Sequence, residues 1–355
     1  MAVVDAVQRS NMRKRILLVT DVKGWGGWVR GMYIKRYLYE YDIRLMDARE
    51  FNDWELHVNS GYFSDKDLQD FRSKRFNFKK YYNFDAFRRF VEKQYPRPYD
   101  LHYFLFHTML QKKSTQRLLN NGAKAMTIVT GFPTLKPCFG RVRPKDKFLH
   151  LARKCSAIGA NNIKSLNDLK TIWQKKTFYA PRGVDPDIFY PMTTSFKRKD
   201  KFTVAYVGKP VPEKGLESII RPACKKAGVE LIINDRNYEN ALSPQQMNKF
   251  YNQADVYLVA STIDGTPNPA LEAASCGKPI IANAIGNMPE FIRDGENGFM
   301  VDLKMDKYIQ KLLWMKTNQM KSFEMGQEAR KTILRKWTWE KVIDQHERKI
   351  FQELV

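Results

Sequence analysis

Residues 256–282 read VYLVASTIDGTPNPALEAASCGKPIIA, and the order of chemistries along them decides the architecture. Positions 256–260 form a short, continuous apolar run, the pattern of a strand buried on both faces. Gly265, Pro267 and Pro269 then break the chain, and the spacing predicts a helix over 270–276. Apolar residues return at 279–282. Strand, loop, helix and strand in this order make a crossover unit whose two strands run parallel.

The same alternation extends outward. Upstream, strands are expected at 203–207 and 230–233, with helices at 217–227 and 244–253. Downstream, a glycine loop leads to a short strand at 298–301, and an amphipathic helix at 338–354 ends the chain. The first half reads less regularly, with strands at 15–20, 43–47, 101–106, 125–129, 156–159 and 177–180. Helices are expected there at 29–39 and 115–121, while residues 50–98 are aromatic, basic and irregular. RGVDPDIFYP, residues 182–191, has turn chemistry and marks a hinge. The expected organisation is an α/β chain of two Rossmann-like doubly wound lobes. These cover residues 1–182 and 183–337, and a helix at 338–355 packs back toward the first lobe.

Hydrophobic residues make up 43% of the 355 and charged residues 28%, a globular balance. No apolar run approaches the ~18 residues of a membrane-spanning helix. The first 15 residues lack the pattern of a signal peptide. Cys138, Cys155, Cys224 and Cys276 form no close pair, which points away from a disulfide framework or zinc site and toward a reducing cytoplasm. The net charge of +23 is unevenly placed. Residues 1–182 carry 36 Lys/Arg against 16 Asp/Glu, and the remainder carries 25 against 22. The expected partner of the first lobe is therefore a polyanion, either nucleic acid or an anionic membrane face; a merely soluble basic surface is the plain alternative.

The loop from Asp264 to Glu272 has the makings of a nucleotide clamp. Gly265 permits a sharp turn, and the prolines stiffen the approach to the helix. N–H groups around Asn268, Pro269, Ala270 and Leu271 would then face a diphosphate at the helix tip. Asp264 before the helix and Glu272 on it can line one ligand, each accepting two hydroxyl hydrogen bonds.

This segment resembles the Glu-x7-Glu signature of the retaining family 4 glycosyltransferases, which have the GT-B fold. The resemblance implies Glu272 on the nucleotide ribose and Asp264 near the sugar, with aspartate standing where glutamate is usual. Gly208-Lys209 through Lys214-Gly215 resembles the family's Gly-Arg-x4-Lys-Gly element, with lysine at 209 in place of arginine. Two cations at such a turn can neutralise a pyrophosphate and stabilise the departing nucleoside diphosphate. Lys209 keeps the charge but not the planar fork. Gly286-Asn-Met-Pro-Glu290, Asp294-Gly-Glu-Asn-Gly298 and Gly183-Val-Asp185 follow the family's order too. The resemblance is specific over residues 180–302 and only architectural before them. It implies a nucleotide-sugar donor, a UDP-sugar being favoured, with no tightly bound cofactor and no protein nucleophile. No metal is expected, because neither an Asp-x-Asp nor a His/Cys cluster is present.

In the first lobe, Gly24-Trp-Gly26-Gly27-Trp28-Val29 lacks the last glycine of a dinucleotide fingerprint. Gly26 and Gly27 are expected at the donor, with Arg30 one turn into the helix on the acceptor side. His107, at a strand end, is the nearest substitute for the family's cleft histidine. The stretch 71–99 alternates cations (Arg72, Lys74, Arg75, Lys79, Lys80, Arg88, Arg89) with aromatic rings, which suits nucleic acid. Viral enzymes that glycosylate hydroxymethylated pyrimidines in DNA resemble this combination, implying a host-cytoplasmic DNA-modifying enzyme. An interfacial basic helix on anionic lipid is the alternative, with a lipid, lipopolysaccharide or surface glycan as acceptor and a peripheral membrane location. A non-catalytic nucleic-acid-binding protein is the third reading.

Overall fold

The computed structural model describes residues 13–21, 26–48, 51, 99–130, 150–235 and 242–355. Within them, β1 (Arg15–Thr20), β2 (Asp42–Asp47), β3 (Leu101–Phe104), β4 (Ala125–Val129), β5 (Ala157–Ala160) and β6 (Lys176–Tyr179) form one sheet. A second sheet contains β7 (Thr203–Val207), β8 (Glu230–Asn234), β9 (Val256–Val259), β10 (Ile280–Ala282) and β11 (Gly298–Met300). Their orders are β2-β1-β3-β4-β5-β6 and β11-β10-β9-β7-β8. Every strand pair is parallel.

Burial on both faces explains the continuous apolar runs. In β1, Leu17 and Val19 enter one core while Ile16 and Leu18 enter the other. In β7, Ala205 and Val207 face one side and Val204 and Tyr206 the opposite one. Chain order reverses on either side of β1 and of β7, so each sheet has its topological switch at the carboxyl end of these strands. Those two ends face one another across a cleft.

The last residues return to the first lobe. Trp339, Ile343, Ile350, Phe351 and Leu354 are buried in the same cluster as Ile16, Leu18 and Tyr33. The outgoing and returning strands of chain are tied where they pass: the Val184 N–H donates to the Trp337 carbonyl (2.9 Å), and the Trp339 N–H to the Val184 carbonyl (3.1 Å). Fully buried Glu347 accepts from Arg30 Nε at 2.7 Å and from the Tyr103 hydroxyl at 3.1 Å, while Arg30 Nη1 reaches the Ala180 carbonyl at 2.9 Å.

A second set of contacts closes the other side of the cleft. Asn162 Nδ2 donates to the Gly265 carbonyl at 3.0 Å, and the Ile163 N–H to Glu290 Oε1 at 2.6 Å. The Tyr179 hydroxyl also donates to Glu290. Gly265 passes so close to the Thr130 carbonyl that a Cβ would overlap it. Only glycine lets the loop of the second lobe approach the end of β4.

Some boundaries differ from expectation. The helix after β1 spans Gly26–Tyr37, beginning at the glycines rather than at 29. The strand expected at 101–106 stops at Phe104, and His107–Gln111 form a tight helical turn. Helix Asn268–Ser275 starts earlier than 270 because Pro269 is compatible with a first turn.

Candidate active site

The cleft between the sheets holds about 630 Å³ and is lined from both lobes and from the hinge. Gly26, Val29, Tyr33 and Trp339 form one wall. Gly208, Lys209, Lys214, Asp264, Asn268, Pro269 and Glu272 form the other, with Arg182 to Asp185 between them. The structure thus brings together Lys209, Lys214, Asp264, Glu272, Gly208, Asn268, Pro269 and Gly26 from the expected residues.

Local backbone chemistry places Lys214. Gly215 has φ of +66°, and a Cβ there would run into the Ala260 carbonyl. The Thr262 N–H donates to the Glu213 carbonyl at 2.9 Å, which zips this turn to the loop after β9. Lys214 Nζ consequently meets Asp264 Oδ2 at 2.5 Å and the Ile263 carbonyl at 3.4 Å. Both side chains keep some exposure, 29% and 17%, so the pair remains accessible to a ligand. Glu272 is aimed by Tyr251, a fully buried ring whose hydroxyl donates to Oε2 at 2.6 Å.

The helix tip is less open than the sequence suggests. The Asn268 N–H donates to the Thr266 carbonyl at 2.8 Å and the Ala270 N–H to the Pro267 carbonyl at 2.9 Å, while Pro269 has no N–H. Ala270 and Leu271 belong to the core and do not line the cleft, because the helix must bury one apolar face against the sheet. In their place stand two side chains, that of the expected Asn268 and that of Thr266, which sequence reasoning missed. Thr266 Oγ1 and Asn268 Oδ1 are buried at the cleft without a hydrogen-bond partner among the described residues. A ligand is the natural source of such partners.

Three expectations in the first lobe are corrected. Arg30 does not face an acceptor; it is 2% exposed and ion-paired with Glu347. Gly27 packs against Thr20 of β1 rather than lining the cleft. His107 is 4% exposed and outside the cleft lining, and burial lowers its pKa to about 4. An imidazole so placed stays neutral near pH 7, and it does not line the cleft. Arg72, Lys74, Arg75, Lys79, Lys80, Arg88 and Arg89 lie outside the described residues.

His102 is held at about 4 for the same reason, desolvation. Both imidazoles bind protons more readily in the unfolded chain, so stability is present above about pH 6.5 and is lost as pH falls toward 4. Each contributes a slope of up to about 1.4 kcal/mol per pH unit in that window. Urea midpoints measured from pH 7.5 to 5 are expected to fall for the wild type and to fall less for His107→Gln; parallel curves would contradict this account.

Arg182 is another cleft residue that the sequence did not single out. Burial is the main cause lowering its pKa to about 10; nearby Arg30 acts in the same direction, and Asp21, Asp264 and Glu272 oppose it. Three cations, Arg182, Lys209 and Lys214, thus share this cleft with three carboxylates, Asp185, Asp264 and Glu272. Among the described residues no cluster of three His, Cys, Asp or Glu could hold a metal, and no helix is long and apolar enough to cross a membrane.

Residues 231–332 match the family model described as glycosyl transferases group 1. The chain is similar to D-inositol 3-phosphate glycosyltransferase of Mycolicibacterium smegmatis, 30% identical over 151 residues, 34% of this chain and 35% of that protein. It therefore spans about a third of the length of that curated relative. Sucrose-phosphate synthase from Thermosynechococcus elongatus superimposes with a TM-score of 0.69 at 14% identity, covering 96% of this chain and 99% of that one. Anabaena Alr3699/HepE in complex with UDP-glucose gives 0.63 at 16% identity, covering 95% and 99%. At such identities the likeness establishes the fold, which is GT-B.

Proposed function

We propose that this protein is a glycosyltransferase moving a sugar from a nucleotide-sugar, a UDP-sugar being favoured, to a hydroxyl on an anionic acceptor. One observation carries the reading: Lys209, Lys214, Asp264 and Glu272 converge on a single cleft at the switch point of the second sheet. Glu272 would accept from the ribose hydroxyls and Asp264 would lie by the sugar, while the lysines offset the diphosphate charge. The match to glycosyl transferases group 1 over residues 231–332 supports the same half of the chain as donor lobe.

Transfer with retention follows from the family 4 resemblance. As the bond from C1 to the diphosphate oxygen breaks, its electron pair leaves with the diphosphate. The acceptor oxygen bonds to C1 on the same face, and its proton passes to the leaving phosphate oxygen. The protein's contribution is positioning and charge stabilisation, so no protein nucleophile is required.

For the acceptor, the strong positive balance of residues 1–182 favours a polyanion, with hydroxymethylated pyrimidine in DNA as the leading candidate. The interleaved phenylalanines and cations of residues 71–99 favour a second reading, a lipid or glycan acceptor at an anionic membrane. The deciding measurement is nucleoside diphosphate release from UDP-glucose and other donors. It is made with hydroxymethylated DNA, anionic vesicles carrying glycolipid, or no acceptor. Acceptor-dependent release is expected with one of the two. Binding of DNA with no turnover of any donor would leave only the non-catalytic reading, and release without acceptor would indicate hydrolysis.

A further inference from the structure

The hinge supplies a cation placed unlike the two lysines. Arg182 follows β6 by a few residues, and its guanidinium packs on the Cα of Gly26, at the start of the helix after β1. A Cβ at position 26 would collide with Nη1 and stand 3.0 Å from Cζ and Nη2. The space the guanidinium occupies therefore exists because residue 26 has no side chain. Arg182 lines the same cleft as Lys209, Lys214, Asp264 and Glu272.

Its neighbours are already engaged. Asp264 is paired with Lys214, Glu272 accepts from Tyr251, and the nearby Arg30 is neutralised by Glu347. Among the described residues the Arg182 guanidinium donates no hydrogen bond. A partly desolvated cation in that setting is costly until an anion arrives. Arg182 lines the cleft together with Asp264, the acid assigned to the sugar, and Glu272, the acid assigned to the ribose. In a nucleotide-sugar the group between sugar and ribose is the diphosphate.

We propose that Arg182 binds the distal phosphate of the donor from the hinge side, opposite Lys209 and Lys214. This rests on the nucleotide-sugar reading above. The lysine at 209 is a point charge, whereas Arg182 brings a planar fork able to hold two phosphate oxygens at once. As the C1–O bond breaks, negative charge grows on that phosphate, and the fork stabilises it there while the acceptor proton arrives.

The test is calorimetric titration of the full chain with UDP, UMP and uridine, for the wild type, Arg182→Gln, Arg182→Lys and Gly26→Ala. GDP and ADP serve as alternative probes. Arg182→Gln is expected to lose about 10–100-fold in diphosphate affinity, as for one or two charge-assisted hydrogen bonds, with little change for UMP or uridine. Arg182→Lys falls between, and Gly26→Ala, which displaces the fork without removing it, shows the same selective loss. With a UDP-sugar, kcat drops more than KM rises. Equal losses for all three ligands, or full diphosphate affinity in Arg182→Gln, would overturn the assignment while leaving the donor reading intact. A wild-type chain that binds none of the nucleoside diphosphates overturns the donor reading and this assignment together.

Discussion

Glu272→Ala is expected to lose at least about 100-fold in transfer rate and to bind nucleoside diphosphate more weakly, while keeping its affinity for duplex DNA or anionic vesicles. The carboxylate would accept two hydrogen bonds from vicinal hydroxyls, and bonds to a charged group contribute about 1.5–3 kcal/mol each. Alanine removes both and strands the buried Tyr251 hydroxyl, which now donates to Glu272 Oε2. Glu272→Gln keeps a partner for Tyr251 but not the charge, so it should fold like the wild type and still transfer poorly. Nucleoside diphosphate release measures the first effect, and shift or flotation assays the second. Loss of polyanion binding together with transfer would mean that the two lobes do not divide donor from acceptor as proposed.

Glu347→Ala should destabilise the protein by about 3–5 kcal/mol, the usual consequence of removing one partner of a buried ion pair. Arg30 is 2% exposed, and the change would leave its buried guanidinium bonded to the Ala180 carbonyl but without its counterion. The Tyr103 hydroxyl would lose its acceptor as well. Because Glu347 sits in the segment that returns to the first lobe, the loss should detach that segment and expose Trp339. Urea denaturation followed by tryptophan fluorescence reads this. The double replacement Arg30→Met with Glu347→Leu should recover most of the stability, since an apolar pair of similar volume carries no desolvation cost. An unchanged midpoint in Glu347→Ala would show that the pair contributes nothing net.

The two predictions concern different levels of organisation, and they were not equally legible. Glu272, Lys209, Lys214 and Asp264 announce themselves through short-range spacing at the ends of strands. Glu347 shows nothing comparable, because it lies within a helical stretch where a glutamate usually faces water. Its partner is 317 residues away. The helix Gln319–Thr332 was equally hard to read. It buries Ser322, Met325, Gly326, Ala329 and Thr332, of which Met325 alone is a large apolar residue, so the buried face carries no broad apolar stripe. Gly326 permits that burial by letting the helix approach the Gly277 carbonyl.

By itself the amino-acid order determined the parallel strands, since a strand covered on both faces needs a continuous apolar run and nothing distant to declare it. It also determined the turn and loop that line the cleft from the second lobe, because their cations and acids lie within a few residues of a strand end. Only the tertiary structure decided that Arg30 is an internal counterion and that His107 is sealed away. The same holds for Arg182, which reaches the cleft through the gap left by Gly26. Arg30 and Arg182 each depend on contact with residues more than a hundred positions away, and burial created by such contacts leaves no local periodicity to read.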